Sequence, residues 1–104
     1  MKPTSLDPGD LAALERHPIC DGVAYSEILS SGDAEAGIIW HEAGAVRPKH
    51  VRTGTVHVWV VSGSAELDGR PVTAGTYYFL DSGERPEVRA GPDGYVVFFV
   101  SPAG

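Results

Sequence analysis

From Gly22 to the carboxyl end, this chain has no segment long and periodic enough to form a helix. It has instead short runs rich in Val, Ile, Tyr and Phe, each cut by Gly, Pro, Asp or Ser. That grammar restricts the fold to an all-β sandwich or barrel. The expected strands are Val23–Leu29, Gly37–His41, Lys49–Val51, Val56–Ser62, Ala65–Leu67, Thr76–Leu80, Glu87–Ala90 and Tyr95–Val100. Upstream, Pro3, Pro8 and Gly9 mark an irregular arm. The stretch DLAALERH, with Asp10 as N-cap and Pro18 as stop, predicts one short helix. Residues 1–21 are expected to form this arm and helix, and residues 22–104 the barrel.

A chain of 104 residues suits one domain. Asp and Glu number 14 against 8 Lys and Arg, a net charge of −6. The balance repels phosphate backbones and anionic lipid, so neither nucleic acid nor a membrane is expected as partner. Cys20 is the only cysteine, which excludes an intramolecular disulfide and a cysteine zinc site. The first ten residues lack the apolar stretch of a signal peptide, and YVVFFV is too short to span a bilayer. A cytoplasmic protein is expected.

Four stretches carry more specific information. EAGAVRPKH has Gly44, Pro48 and His50; VVSG ends at Gly63, thirteen residues after His50; GTYYFLDSGERP begins at Gly75 and reaches Gly83 within its turn; Gly94 follows AGPD. On these residues the chain resembles a cupin across residues 22–100. The likeness is to small single-domain cupins related to the ChrR-type zinc anti-sigma domain and the acetylacetone-cleaving dioxygenases. It implies a double-stranded β-helix, the jelly-roll barrel of that superfamily.

The resemblance also implies where a metal would be held. The four ligand positions of those cupins fall on His50, Arg52, Val56 and Pro86. Arginine has no lone pair to give, and valine and proline have no side-chain donor. A zinc or iron site needs at least three good donors. The inherited site therefore cannot hold a metal, and no cofactor is expected. The alternative is a rebuilt centre for Zn, Fe, Ni or Mn that uses His50 and His57, with His41 joining them. A bulge at Gly54 would have to turn His57 inward.

In the register that the cupin resemblance implies, strand alternation assigns the remaining side chains. Val56, Val58 and Val60 should point into the barrel, and His57, Trp59 and Val61 out of it. Tyr78 and Leu80 should point in, Tyr77 and Phe79 out. The outward aromatic row predicts a covered face, and so a homodimer. Of Trp40 and His41, Trp40 is expected to pack as core; His17 is expected at the surface. His50 and Arg52 are placed at the barrel mouth. Arg52 is either ion-paired with a carboxylate or the fork that binds an anionic ligand. His50 can move a proton near neutral pH. With Tyr78 as aromatic wall, these are the candidate ligand-binding residues, and His50 and Arg52 the candidate catalytic pair.

Three functions follow. The first is a metal-free cupin that binds a small carbonyl or carboxylate compound, with proton-transfer chemistry of the isomerase or cyclase type. The second is a metal-dependent oxygenase or isomerase built on His50 and His57. The third is a non-catalytic sensory or structural dimer.

Overall fold

A computed structural model describes residues 5–102. Pro3 and the rest of the first four residues of the expected arm lie outside the described residues. The helix forms, but one turn earlier than expected: α1 is Pro8–Ala12, capped by Asp7 rather than Asp10. Asp7 accepts from the Asp10 backbone N–H, and the Asp10 carboxylate accepts from the Asp7 N–H. Asp10 thus closes a capping box from inside the helix, and Pro8 takes the first-turn position where a missing N–H costs nothing.

Pro18 does not stop a helix; it lies within a strand. β1 (His17–Cys20) pairs antiparallel with β2 (Val23–Ser30). There follow β3 (Ala34–His41), β4 (Val46–Arg47), β5 (His50–Arg52), β6 (Val56–Leu67), β7 (Arg70–Thr73), β8 (Tyr77–Leu80), β9 (Gly83–Arg85) and β10 (Val88–Pro102). One sheet runs β1-β2-β3-β10-β6-β7, with β4 attached to β10 and β8 to β6; β5 and β9 form a second, two-stranded sheet. All pairings are antiparallel.

Two expected pairs of strands are each one long bent strand. Val56–Ser62 and Ala65–Leu67 join as β6, and Glu87–Ala90 and Tyr95–Val100 join as β10. The ladder between them breaks register between Ala90 and Tyr95. Gly63, at φ 76°, and Gly94, at φ 81°, supply the bends. The two backbones approach so closely that a Cβ on Gly63 would collide with the Gly94 carbonyl. Glycine at residue 63 therefore meets two demands at once, a left-handed conformation and absence of a side chain. Further along, Asp68 (φ 49°) and Gly69 (φ 84°) make the two-residue turn into β7.

The alternation in β6 and β8 is as expected. Val58 and Val60 are buried, while Trp59, Val61, Tyr77 and Phe79 are exposed. Val58, Val60, Ala65, Ala90, Tyr95, Val97 and Phe99 form the core on the inner faces of β6 and β10.

Gly63→Ala should lower unfolding stability by about 3 kcal/mol in urea titration, since strain and collision add. Gly69→Ala, with open space around its Cβ, should lose only about 1 kcal/mol.

Candidate functional site

The barrel encloses a cavity of about 510 Å³. Its wall alternates with the strands. β3 contributes Glu35, Ile39 and His41, β2 contributes Tyr25, β10 contributes Tyr95, Val97 and Phe99, and β8 contributes Tyr78 and Leu80. A Cβ on Gly37 would collide first with the Ser26 backbone carbonyl and then with the rings of Tyr25 and Phe99, which lie 5.8 Å apart.

His50, Arg52 and Tyr78 all line this one cavity. His57 does not. It is exposed on the outer face, where its Nδ1 is 2.7 Å from the Tyr77 hydroxyl. No bulge turns it inward, so His50 and His57 are not brought together. Among the described residues, no three His, Cys, Asp or Glu side chains come together in a way that could hold a metal ion.

Three further residues complete the site. Arg47 and Arg85 line it beside Arg52, and Glu35 is the one carboxylate in the wall, at the opposite end of β3 from His41. Three guanidiniums against one carboxylate leave an excess of two positive charges inside a protein of net charge −6. None of the three has a carboxylate partner within ion-pair distance among the described residues, where the only pairs are Lys49–Asp68, Lys49–Glu84 and Arg89–Glu87. The ion pair considered for Arg52 is absent from that set.

The three arginines are held differently. Arg85 is buried, and its guanidinium donates to the carbonyls of Asp81 and, at 2.7 Å, Gly54. It ties two loops together. Arg47 is half-buried and makes one long side-chain contact, 3.5 Å to Nε2 of His50. Arg52 is exposed at the mouth. Burial lowers the Arg47 pKa, and Arg52 and Arg85 add repulsion. A guanidinium has five donors, so most of those on Arg47 await an acceptor.

Of the three histidines that line the cavity, His41 and His50 differ in the same way. His50 is engaged at both nitrogens. Its Nδ1 donates to the Pro48 carbonyl at 3.3 Å, and Nε2 faces the Arg47 donor. Its pKa is lowered, first by burial and then by Arg47. His41 is only 5% exposed. Its Nδ1 lies 3.0 Å from the Tyr95 carbonyl and must donate to it. Nε2 is buried with no hydrogen-bond partner among the described residues. Burial pushes the His41 pKa down to about 4, the Tyr95 carbonyl opposes this, and Arg47 adds to it. The imidazole is therefore neutral at pH 7, with a bare lone pair.

Trp40, expected as core, faces the other way. Its indole N–H donates to the Ser26 hydroxyl at 2.8 Å, and the Arg16 guanidinium stacks 3.8 Å above the ring. His41 takes the inner position. The sequence AGIIWH is apolar on both faces, so its parity could not be read. Tyr95 sits in a similarly two-faced run. Its hydroxyl is 3.0 Å from that of Tyr78, and burial raises both phenol pKa values, so both stay protonated.

No family model matches the sequence, and no curated protein matches it. Solved structures do. A polyketide cyclase, RemF, from Streptomyces resistomycificus superposes with a TM-score of 0.80 at 15% identity, over 100% of this chain and 80% of that one. An RmlC-like cupin from Shewanella frigidimarina gives 0.77 at 21%, over 89% and 86%. An acetylacetone dioxygenase from Acinetobacter johnsonii gives 0.72 at 14%, over 98% and 74%. The fold is that of a small cupin. No helix among the described residues is long and apolar enough to cross a membrane.

Burial of neutral His41 makes stability depend on pH. Between pH 6.5 and about 4 the unfolded chain binds a proton that the folded chain refuses. Stability is thus fully present above pH 6.5 and falls with acidification through that window, by about 3 kcal/mol from this residue. Urea titrations across the window should show a flatter profile for His41→Gln than for the wild type.

Proposed function

We propose that this cupin barrel binds a small organic anion, a carboxylate or carbonyl compound, without a resident metal. The observation that carries the reading is the unpaired cationic wall: Arg47 and Arg52 line a cavity whose one carboxylate, Glu35, pairs with neither. Burying a guanidinium without an anionic partner is costly, and a ligand carboxylate supplies that partner in fork geometry. Arg52 receives the ligand at the mouth, Arg47 holds it deeper, His50 orients Arg47, and Tyr78 forms the aromatic side. The cavity volume suits a compact molecule. A polyketide cyclase and a dioxygenase among the similar structures support a small-molecule role for such a barrel. The chemistry these groups favour is proton transfer, with guanidiniums stabilising an oxyanion.

A homodimer is part of the proposal. Trp59, Val61, Tyr77 and Phe79 are 42%, 56%, 46% and 55% exposed on one outer face. Trp59 packs against both Tyr77 and Phe98 there. So continuous an apolar face is seldom left to water. Phe79→Glu should convert a sedimenting dimer to monomer, and a wild type that sediments as monomer at micromolar concentration would end this part of the proposal.

Two measurements test the site. Titration calorimetry with benzoylformate, an aromatic 2-oxo acid, should detect binding that weakens about tenfold in Arg52→Ala and more in Arg47→Ala, the loss expected for a charge-assisted hydrogen bond. Unchanged affinity in both variants would overturn the anion reading. Elemental mass spectrometry of untagged protein should find no stoichiometric metal. Zinc, iron, nickel or manganese near one per chain, lost in His50→Ala, would restore the metal-dependent alternative.

A further inference from the structure

The proposed anion site leaves one group unused. His41 is a buried imidazole with one nitrogen fixed and the other bare. Buried polar atoms without a partner are rare, and each asks for an explanation. His41 lines the same cavity as Arg47, and the Arg47 guanidinium is close enough to disfavour a charge on His41. It also sits beside the phenol pair. His41 is directly opposite Tyr95 in the β3–β10 ladder, their rings 5.1 Å apart, and the Tyr95 hydroxyl meets that of Tyr78.

The hydrogen-bonding capacity of this corner is definite. The two phenols carry two O–H protons. One lies between their oxygens, and the other has no acceptor among the described residues. The corner therefore offers one cation on Arg47, one phenol donor and one imidazole lone pair. A ligand that satisfies all three carries an anionic group, a carbonyl oxygen, and a hydrogen that a base can take.

We propose that His41 is the proton-abstracting base of the cavity and that its substrate is an enolisable oxo acid, held by its carboxylate on Arg47 and by its keto oxygen on the Tyr78–Tyr95 phenol pair. This rests on the anion site proposed above and assigns its chemistry. The C–H bond beside the keto group breaks, and the proton passes to Nε2 of His41. The electron pair forms the C=C bond of an enolate, whose oxygen is stabilised by the phenol O–H. Return of the proton to the same carbon gives exchange; return to another carbon of the conjugated system gives an isomer. No oxidant or reductant is needed.

His41 suits the task better than His50. The lone pair of His50 faces the Arg47 guanidinium, while the buried Nε2 of His41 has no hydrogen-bond partner among the described residues. The Tyr95 carbonyl fixes the tautomer so that Nε2 is always the basic atom. A carboxylate on Arg47 also offsets the cation that depresses His41, so the base strengthens when the substrate is in place.

The experiment uses phenylpyruvate, which can enolise, and benzoylformate, which has no hydrogen beside its keto group. Wild-type protein in deuterium oxide should speed loss of the C3 proton signal of phenylpyruvate above the buffer rate, followed by proton NMR. His41→Gln should cut that acceleration by about 100-fold or more while benzoylformate affinity stays within about threefold. Exchange retained in His41→Gln and abolished in His50→Gln would overturn the assignment and leave the anion site standing. Binding of both acids with no exchange in the wild type would do the same. Absence of binding of either acid would remove the anion site, and this inference with it. If His41→Gln does not fold, the nitrogen NMR signal of His41 Nε2 in wild-type protein should shift on adding benzoylformate. A signal that stays in place at saturating benzoylformate would overturn the assignment.

Discussion

The site depends on one strand being paired along both edges. β10 is hydrogen-bonded to β3 and β4 along one edge and to β6 along the other, and it bends between Ala90 and Tyr95. The bend is permitted because β6 and β10 meet through two glycines, Gly63 and Gly94, with no Cβ between them. Past that point Tyr95 lies opposite His41, and its carbonyl can be spent on an imidazole. The buried lone pair of His41, the phenol pair and the curvature of the barrel are thus consequences of the same close approach. Small adjustments there would be felt in the cavity, since packed interiors move as discrete arrangements rather than by degrees.

Electrostatics in this protein work on two scales. The surface is acidic overall and repels anions at a distance, an effect that salt screens within about 10 Å. The cavity is cationic, and within it the effective dielectric is lower, so Arg47 acts strongly on whatever reaches it. An anion would therefore be selected by fit inside the barrel and gain little from long-range steering. The contrast also accounts for two neutral histidines in one cavity. Burial and neighbouring guanidiniums depress both, and the difference between them lies in what occupies their nitrogens.

The sequence was legible where polarity alternates and opaque where it does not. In VHVWVV histidine and tryptophan separate Val56, Val58 and Val60, and the register that the cupin resemblance implies turns those valines inward. The placement of His50, Arg52 and Tyr78 along one cavity follows from the register that the cupin resemblance implies. AGIIWH and YVVFFV gave no such contrast, so His41 was passed over for Trp40, and Tyr95 was not singled out. Arg47 and Arg85 were missed for another reason. Each lies in a very short strand beside a proline, where two or three residues are too few to show a period. The first helix was displaced because Asp7 and Asp10 are both competent caps, and only the pairing between them decides which one leads. Pro18 predicts a stop because its ring is incompatible with a helix interior, yet an edge strand tolerates it equally well.

That tolerance has a counterpart at the far side of the sheet. β1 and β7 end the strand order of the large sheet, and each carries a proline, Pro18 in one and Pro71 in the other. A proline removes a backbone donor from the edge where a foreign strand would dock. Growth by strand addition is thereby discouraged at both ends, as sheet proteins need if they are not to polymerise.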